Sequence, residues 1–232
     1  MLPASMAETA PNPELLRMLG KLARGLSALF WGLPAALIIG VRAAKSEWTG
    51  LLDVAVVFML NGLLLYVLWQ MGAFQKQERP WQSELDRARL LGMVNLGLTP
   101  FLYWTNRMPA EEFFAVAVLI LGASAVLFLF NLNIVIERLG AMLPDETLRL
   151  ETKQFTAINR GLLISLLLIA AAYFCFLHLP DLPTILRVVA LLLERYSLWA
   201  MVFLILLPLA MTMALIWKTK EVILESLFSA RN

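Results

Sequence analysis

Charge is scarce in this chain. Of its 232 residues, 16% are Asp, Glu, Lys or Arg and 60% are hydrophobic, against about 25% charged and about 45–50% apolar in ordinary soluble domains. A soluble fold of this length leaves much of its surface in water, and so few charges cannot cover it. With a mean hydropathy of +0.76, the composition fits lipid as the solvent. The single cysteine, Cys175, excludes an intrachain disulfide. The single histidine, His178, does not by itself make a metal site. A net charge of +2 is too small to point to nucleic acid. No Asn-x-Ser/Thr sequon occurs, which agrees with a bacterial inner membrane.

What is present is long uncharged runs. Cutting the chain at every Asp, Glu, Lys and Arg leaves Gly25–Val41, Val54–Gln75, Leu90–Asn106, Phe113–Ile136, Gly161–Pro180 and Tyr196–Trp217. Their lengths are 17, 22, 17, 24, 20 and 22 residues, close to the roughly 20 that cross a hydrocarbon core of about 30 Å. The expected fold class is therefore all-α, a polytopic bundle of about six spans. The first run exceeds a signal-peptide core and meets Arg42 and Lys45 instead of a small-residue cleavage site, so it reads as a retained span. Residues 1–24 form a tail and amphipathic helix, 25–217 the membrane domain, and 218–232 a second tail.

Lys and Arg set the orientation. The N-terminal segment, residues 76–89, residues 137–160 and the C-terminal tail carry 14 of them, and the three opposite segments carry 5. That bias places both termini in the cytoplasm of a multi-pass inner-membrane protein. The cytoplasmic segments also carry amphipathic patterns. Leu15, Leu16, Met18, Leu19 and Leu22 alternate with Arg17, Lys21 and Arg24, as in a helix lying on the inner leaflet. Ser83-Glu84-Leu85-Asp86 reads as a capping box before the third span. Pro144–Arg160 is a candidate third surface helix with Leu148, Leu150, Phe155 and Ile158 as its apolar residues, and Leu182–Arg195 reads as interfacial on the outer side. Aligning Ala23-Arg24 with Ala88-Arg89 matches Gly32-Leu33 to Gly97-Leu98 without gaps, so a threefold hairpin repeat is a candidate.

The candidate functional residues are the few polar ones inside the runs. Asn61, Asn95 and Ser124 form the candidate cavity lining, because an amide in hydrocarbon must find another helix or a cavity. Ser27, Thr99, Asn131, Asn133, Ser165 and Thr212 complete the set, with Asn131 and Asn133 close enough to the cytoplasmic end to reach the interface. Pro34, Pro100 and Pro208 are candidate helix breaks, since proline frees a carbonyl and kinks a helix. Interrupted spans at matching places point toward a transporter site.

Proton pumps, cation carriers and intramembrane enzymes place ionisable groups at membrane depth, and the six runs hold none of the acidic or basic residues. The expectation is a non-enzymatic transport component for a neutral or amphiphilic solute, with a scaffold or assembly subunit of a larger membrane complex as the alternative. No cofactor or metal is expected. The bilayer is one partner, and other membrane subunits or further copies of the chain are the others. In topology mapping, reporters fused after Gln75 and Ala141 should read cytoplasmic and one after Lys45 periplasmic. A periplasmic signal at Ala141 would refute this orientation.

Overall fold

The computed structural model describes residues 13–45, 50–75, 77–143, 145–178 and 184–229. Among them there is no strand. The chain forms α1 (Pro13–Lys45), α2 (Gly50–Met71), α3 (Arg79–Leu98), α4 (Phe101–Arg107), α5 (Glu112–Met142), α6 (Glu146–His178) and α7 (Thr184–Ser229). Helix is what lipid demands, because every backbone N–H and C=O must be paired within the segment. Five of these helices, within α1, α2, α5, α6 and α7, are long and apolar enough to cross a membrane. The remaining apolar run is divided between α3 and α4. Together they reach both ends of the bundle: Arg89 donates to the Leu68 carbonyl at one end, and Asn106 Nδ2 donates to the Ala43 carbonyl at 2.9 Å at the other.

Each long helix packs on its chain neighbours and α1 closes on α7, so the order around the bundle is α1, α2, α3, α5, α6, α7. The main core is an apolar cluster from α1, α2, α3, α5 and α7, with Leu26, Leu29, Leu68, Leu85, Leu132 and Ile136 fully buried, and a smaller cluster joins Ala43, Val54, Val57 and Leu102. On α3 the buried positions Trp81, Leu85, Ala88, Gly92, Asn95 and Thr99 alternate in steps of four and three. This is the seam of a helix packed along its length against neighbours.

Several expectations change. The basic leaders are not separate surface helices: the segments ahead of the first, third and fifth runs are the opening turns of α1, α3 and α6. In α1, Leu19 and Leu22 sit in the bundle core rather than on the leaflet. In α6 the inward face is Leu148, Thr152, Thr156 and Asn159, while Leu150, Phe155 and Ile158 point outward. Lipid accepts apolar side chains on the outside, so the uncharged polar face can turn in. The Ser83 capping box is not used. α3 starts at Arg79 with a proline in its first turn, and the Glu84 and Asp86 carboxylates pair with Arg87 and Arg89. The segment 184–195 is continuous with the last span in α7, whose 46 residues have a contour of about 69 Å, well beyond a hydrocarbon core of about 30 Å.

Proline behaves differently from the expectation as well. α1 runs unbroken through Pro34 and α7 through Pro208. Only at Pro100 is a helix interrupted, and even there Thr99 (φ −53°, ψ −40°) and Pro100 (φ −59°, ψ −26°) keep right-handed helical dihedrals. The interruption is a local loss of i→i−4 bonds, replaced by i→i−3 bonds from Leu102 to Thr99 and from Tyr103 to Pro100. Among the aligned glycines of the candidate repeat, Gly32 abuts Leu64 and Gly97 has open space, so the two do not share a packing role.

A lock joins α2 to α3 at the basic end. The Arg89 guanidinium donates to the Leu68 carbonyl at 3.1 and 3.3 Å, pairs with Asp86 at 2.6 Å and lies 5.0 Å over the Trp69 ring. It occupies the place where a Cβ on residue 72 would project, which only glycine leaves open. Gly72→Ala should lower stability by about 1–3 kcal/mol. In thermal unfolding of the detergent-purified protein, the same substitution in an Arg89→Ala background should cost less, and strict additivity would refute the lock.

The turn before α6 supplies a pH-sensitive cap. Asp145 accepts from the Thr147 hydroxyl at 2.6 Å and from the Thr147 and Leu148 N–H groups at 2.9 and 3.1 Å. The Thr147 hydroxyl first, and then the Leu148 N–H, hold its carboxyl below the ordinary value of 3.8. The cap's contribution is therefore complete above that value and is lost as the pH falls through the lowered one. An Asp145→Ala variant should lose this acid-side decline in Tm measured between neutral pH and pH 3, while remaining less stable than the native chain at neutral pH.

Candidate functional site

Two polar layers interrupt the apolar interior, each beside a proline. The first is at the α3–α4 junction. Asn61 Nδ2 on α2 donates to Thr99 Oγ1 at 3.0 Å, and the Thr99 hydroxyl donates to the Asn95 carbonyl at 2.7 Å. The Asn95 carbonyl thus receives the Thr99 N–H and hydroxyl together in the last regular turn before Pro100, which has no N–H to continue the ladder. α5 runs antiparallel alongside. Its register is set by Thr105 Oγ1, which donates to the Phe114 carbonyl at 3.0 Å, and by Gly92, which faces Phe128. Ten residues along from the first of those pairs, Asn95 is level with Ser124. Both side chains are buried, and Asn95 Oδ1 and Ser124 Oγ have no protein partner. Of the three residues singled out from sequence, Asn61 and Asn95 thus join through Thr99, and Ser124 lies at their level on the neighbouring helix.

The second layer binds α5, α6 and α7. Asn133 Nδ2 donates to the Leu129 carbonyl at 2.7 Å and to Thr212 Oγ1 at 2.9 Å. Asn159 Nδ2 approaches Asn133 Oδ1, Thr212 Oγ1 and the Pro208 carbonyl at 2.9, 3.0 and 3.1 Å, and the Thr212 hydroxyl also donates to that carbonyl at 2.8 Å. All three side chains are completely buried. Asn159 cannot be turned over, since its oxygen would then face Asn133 Oδ1 and the Pro208 carbonyl. Its Oδ1 is therefore a true unpaired acceptor. The sequence reading missed Asn159 and sent Asn133 toward the interface. The findable signal was Thr152, Thr156, Asn159 and Leu163 at helical spacing in one segment.

The other polar residues of the spans are satisfied within their own helices. Ser27 donates to the Ala23 carbonyl, Asn131 to that of Leu127 and Ser165 to that of Leu162. The side chains of Cys175 and His178 lie outside the described residues. Two concavities stand out among the described residues, and neither touches Asn61, Asn95 or Ser124. One is an open groove of about 560 Å³ along the first turns of α3, lined by Arg79, Gln82, Ser83, Asp86, Arg87 and Leu90. The other, about 70 Å³, lies between the α1 leader and the end of α2. No three His, Cys, Asp or Glu side chains of the described residues converge as a metal site. Family models, curated proteins and solved structures give no match to this chain.

The second layer joins three helices through fully buried groups, whereas Asn61 makes a single half-buried bond. Asn159→Ala should therefore cost about 1–3 kcal/mol and Asn61→Ala about 0.6 kcal/mol. Thermal unfolding in detergent measures both, and equal losses would count against the second layer as the stronger tie.

Proposed function

We propose that this chain is a non-enzymatic, six-span inner-membrane subunit, with both termini cytoplasmic, that organises a larger membrane complex. One observation carries this reading: the interior is filled. Leu26, Leu29, Leu68, Leu85, Leu132, Val135, Ile136, Leu139 and Ile216 are fully excluded from solvent and belong to one cluster spanning five helices. Helices that continue through Pro34 and Pro208 support it, because a solute site built on breaks at matching places needs unwound backbone. A rigid bundle with continuous basic extensions offers a partner fixed rims.

The test is purification in mild detergent under native expression, with Pro34→Ala and Pro100→Ala beside the native chain. The scaffold reading expects a stoichiometric membrane-protein partner that both variants retain. A chain that purifies alone, with no second copy or partner after crosslinking in membranes, would overturn it.

Transport of a neutral or amphiphilic solute is the second reading. The interruption at Pro100 beside the unpaired Asn95 Oδ1 and Ser124 Oγ favours it. Those groups carry no formal charge, so a ligand there would be neutral. Loss of solute uptake in Pro100→Ala with assembly intact would favour transport over scaffolding.

A further inference from the structure

The inner polar layer is the upper step of a longer polar seam. Asn159 meets Asn133 across α5 and α6, and Thr152 meets Gly140 across the same pair, where a Cβ on residue 140 would lie 3.2 Å from Thr152 Oγ1. Both contacts fit one antiparallel register, seven residues apart on each helix. α7 follows the same step. Thr212 bonds Asn159, Glu151 pairs with Lys218, and Thr219 is fully buried seven residues beyond Thr212. Gly140, Thr152 and Thr219 therefore make a further layer about 10 Å nearer the basic end than Asn133, Asn159 and Thr212. Seven residues are about two helical turns, so both layers lie on the same face of each helix. Thr156, also fully buried, sits between the layers at the level of Ile136 and Leu215.

Along this seam Asn159 Oδ1, Thr156 Oγ1 and Thr219 Oγ1 are buried without a protein partner. They supply one acceptor-only oxygen and two hydroxyls that donate or accept, with no formal charge among them. Gly140 lets Thr152 pack directly against α5. A guest that donates to an amide oxygen, accepts from hydroxyls and fits between helices is water. Glu151, the carboxylate next to Thr152, is already paired with Lys218.

We propose that the α5–α6–α7 seam is a water-binding site, in which ordered waters bridge Asn159 Oδ1 to Thr156 Oγ1 and continue to Thr219, hydrating the layer at Pro208 from the basic end. This inference goes beyond the scaffold reading and does not depend on it.

The sign of an isosteric substitution tests it. Without water, Thr156→Val and Thr219→Val remove unpaired hydroxyls and leave Tm unchanged or raised. With bridging water, each strands a water and its other partners, and Tm falls by about 2–4 °C. Radiolytic hydroxyl-radical labelling of the native protein reads the same point independently of folding. Bound water should oxidise Ile136 and Leu215 despite their burial. A Tm that does not fall, or Ile136 and Leu215 left unlabelled while Met108, exposed in the turn between α4 and α5, is oxidised, would overturn the proposal.

Discussion

The constraint on which the rest depends is the cost of an unpaired amide in hydrocarbon. Lipid gives two helices little reason to prefer one another by apolar contact alone, because its acyl chains are as apolar as leucine. Direction and register must come from groups that lipid cannot satisfy. Asn133, Asn159 and Thr212 do this for three helices at once: each position is fully buried, and sliding any helix by one residue would break several bonds together. The same logic holds at the other layer, where Asn61 pins α2 to the end of α3. The apolar core then fills in around positions already chosen.

Two of the three span prolines sit beside such groups. A proline within a helix removes one backbone donor and leaves the carbonyl four residues back short. At Pro208 that carbonyl is Leu204's, whereas the Thr212 hydroxyl and the Asn159 amide both bond the Pro208 carbonyl itself, and α7 continues. At Pro100 the Thr99 hydroxyl and N–H share the Asn95 carbonyl, and the regular ladder ends at the proline, which has no N–H, while the dihedrals stay helical. Proline in this chain therefore marks where polar side chains gather more reliably than where helices part.

How much of this was legible follows from what a charge reveals. Uncharged runs gave the apolar helices, because the cost of an ion in lipid is large at any rotation. They gave the functional layers poorly. Arg160 lies over the Phe130 ring on an exposed position while Asn159, one residue before it, is fully buried. Lys218 and Lys220 flank Thr219, which is also fully buried. Successive helix residues differ by about 100° in direction, so a charge at one position says little about its neighbour. Cutting the chain at charges discarded Thr152, Thr156, Asn159 and Thr219 with the loops. The surface-helix reading of Pro144–Arg160 failed for a related reason. It assumed that apolar side chains turn inward, whereas beside lipid Leu150, Phe155 and Ile158 turn outward and the threonines turn in.

This inversion bears on what the molecule is built to do. Where the outside is apolar, the inside is free to be polar, and a chain that passes solute can line its axis with that freedom. Here the polar groups are confined to helix–helix seams, and the centre is closed by leucine and isoleucine from opposite sides of the ring. Groups set in a seam act between helices, and their energy goes into holding a fixed arrangement. A polar interior spent on register holds the helices in one arrangement, and that is the property on which the proposed assembling role would draw.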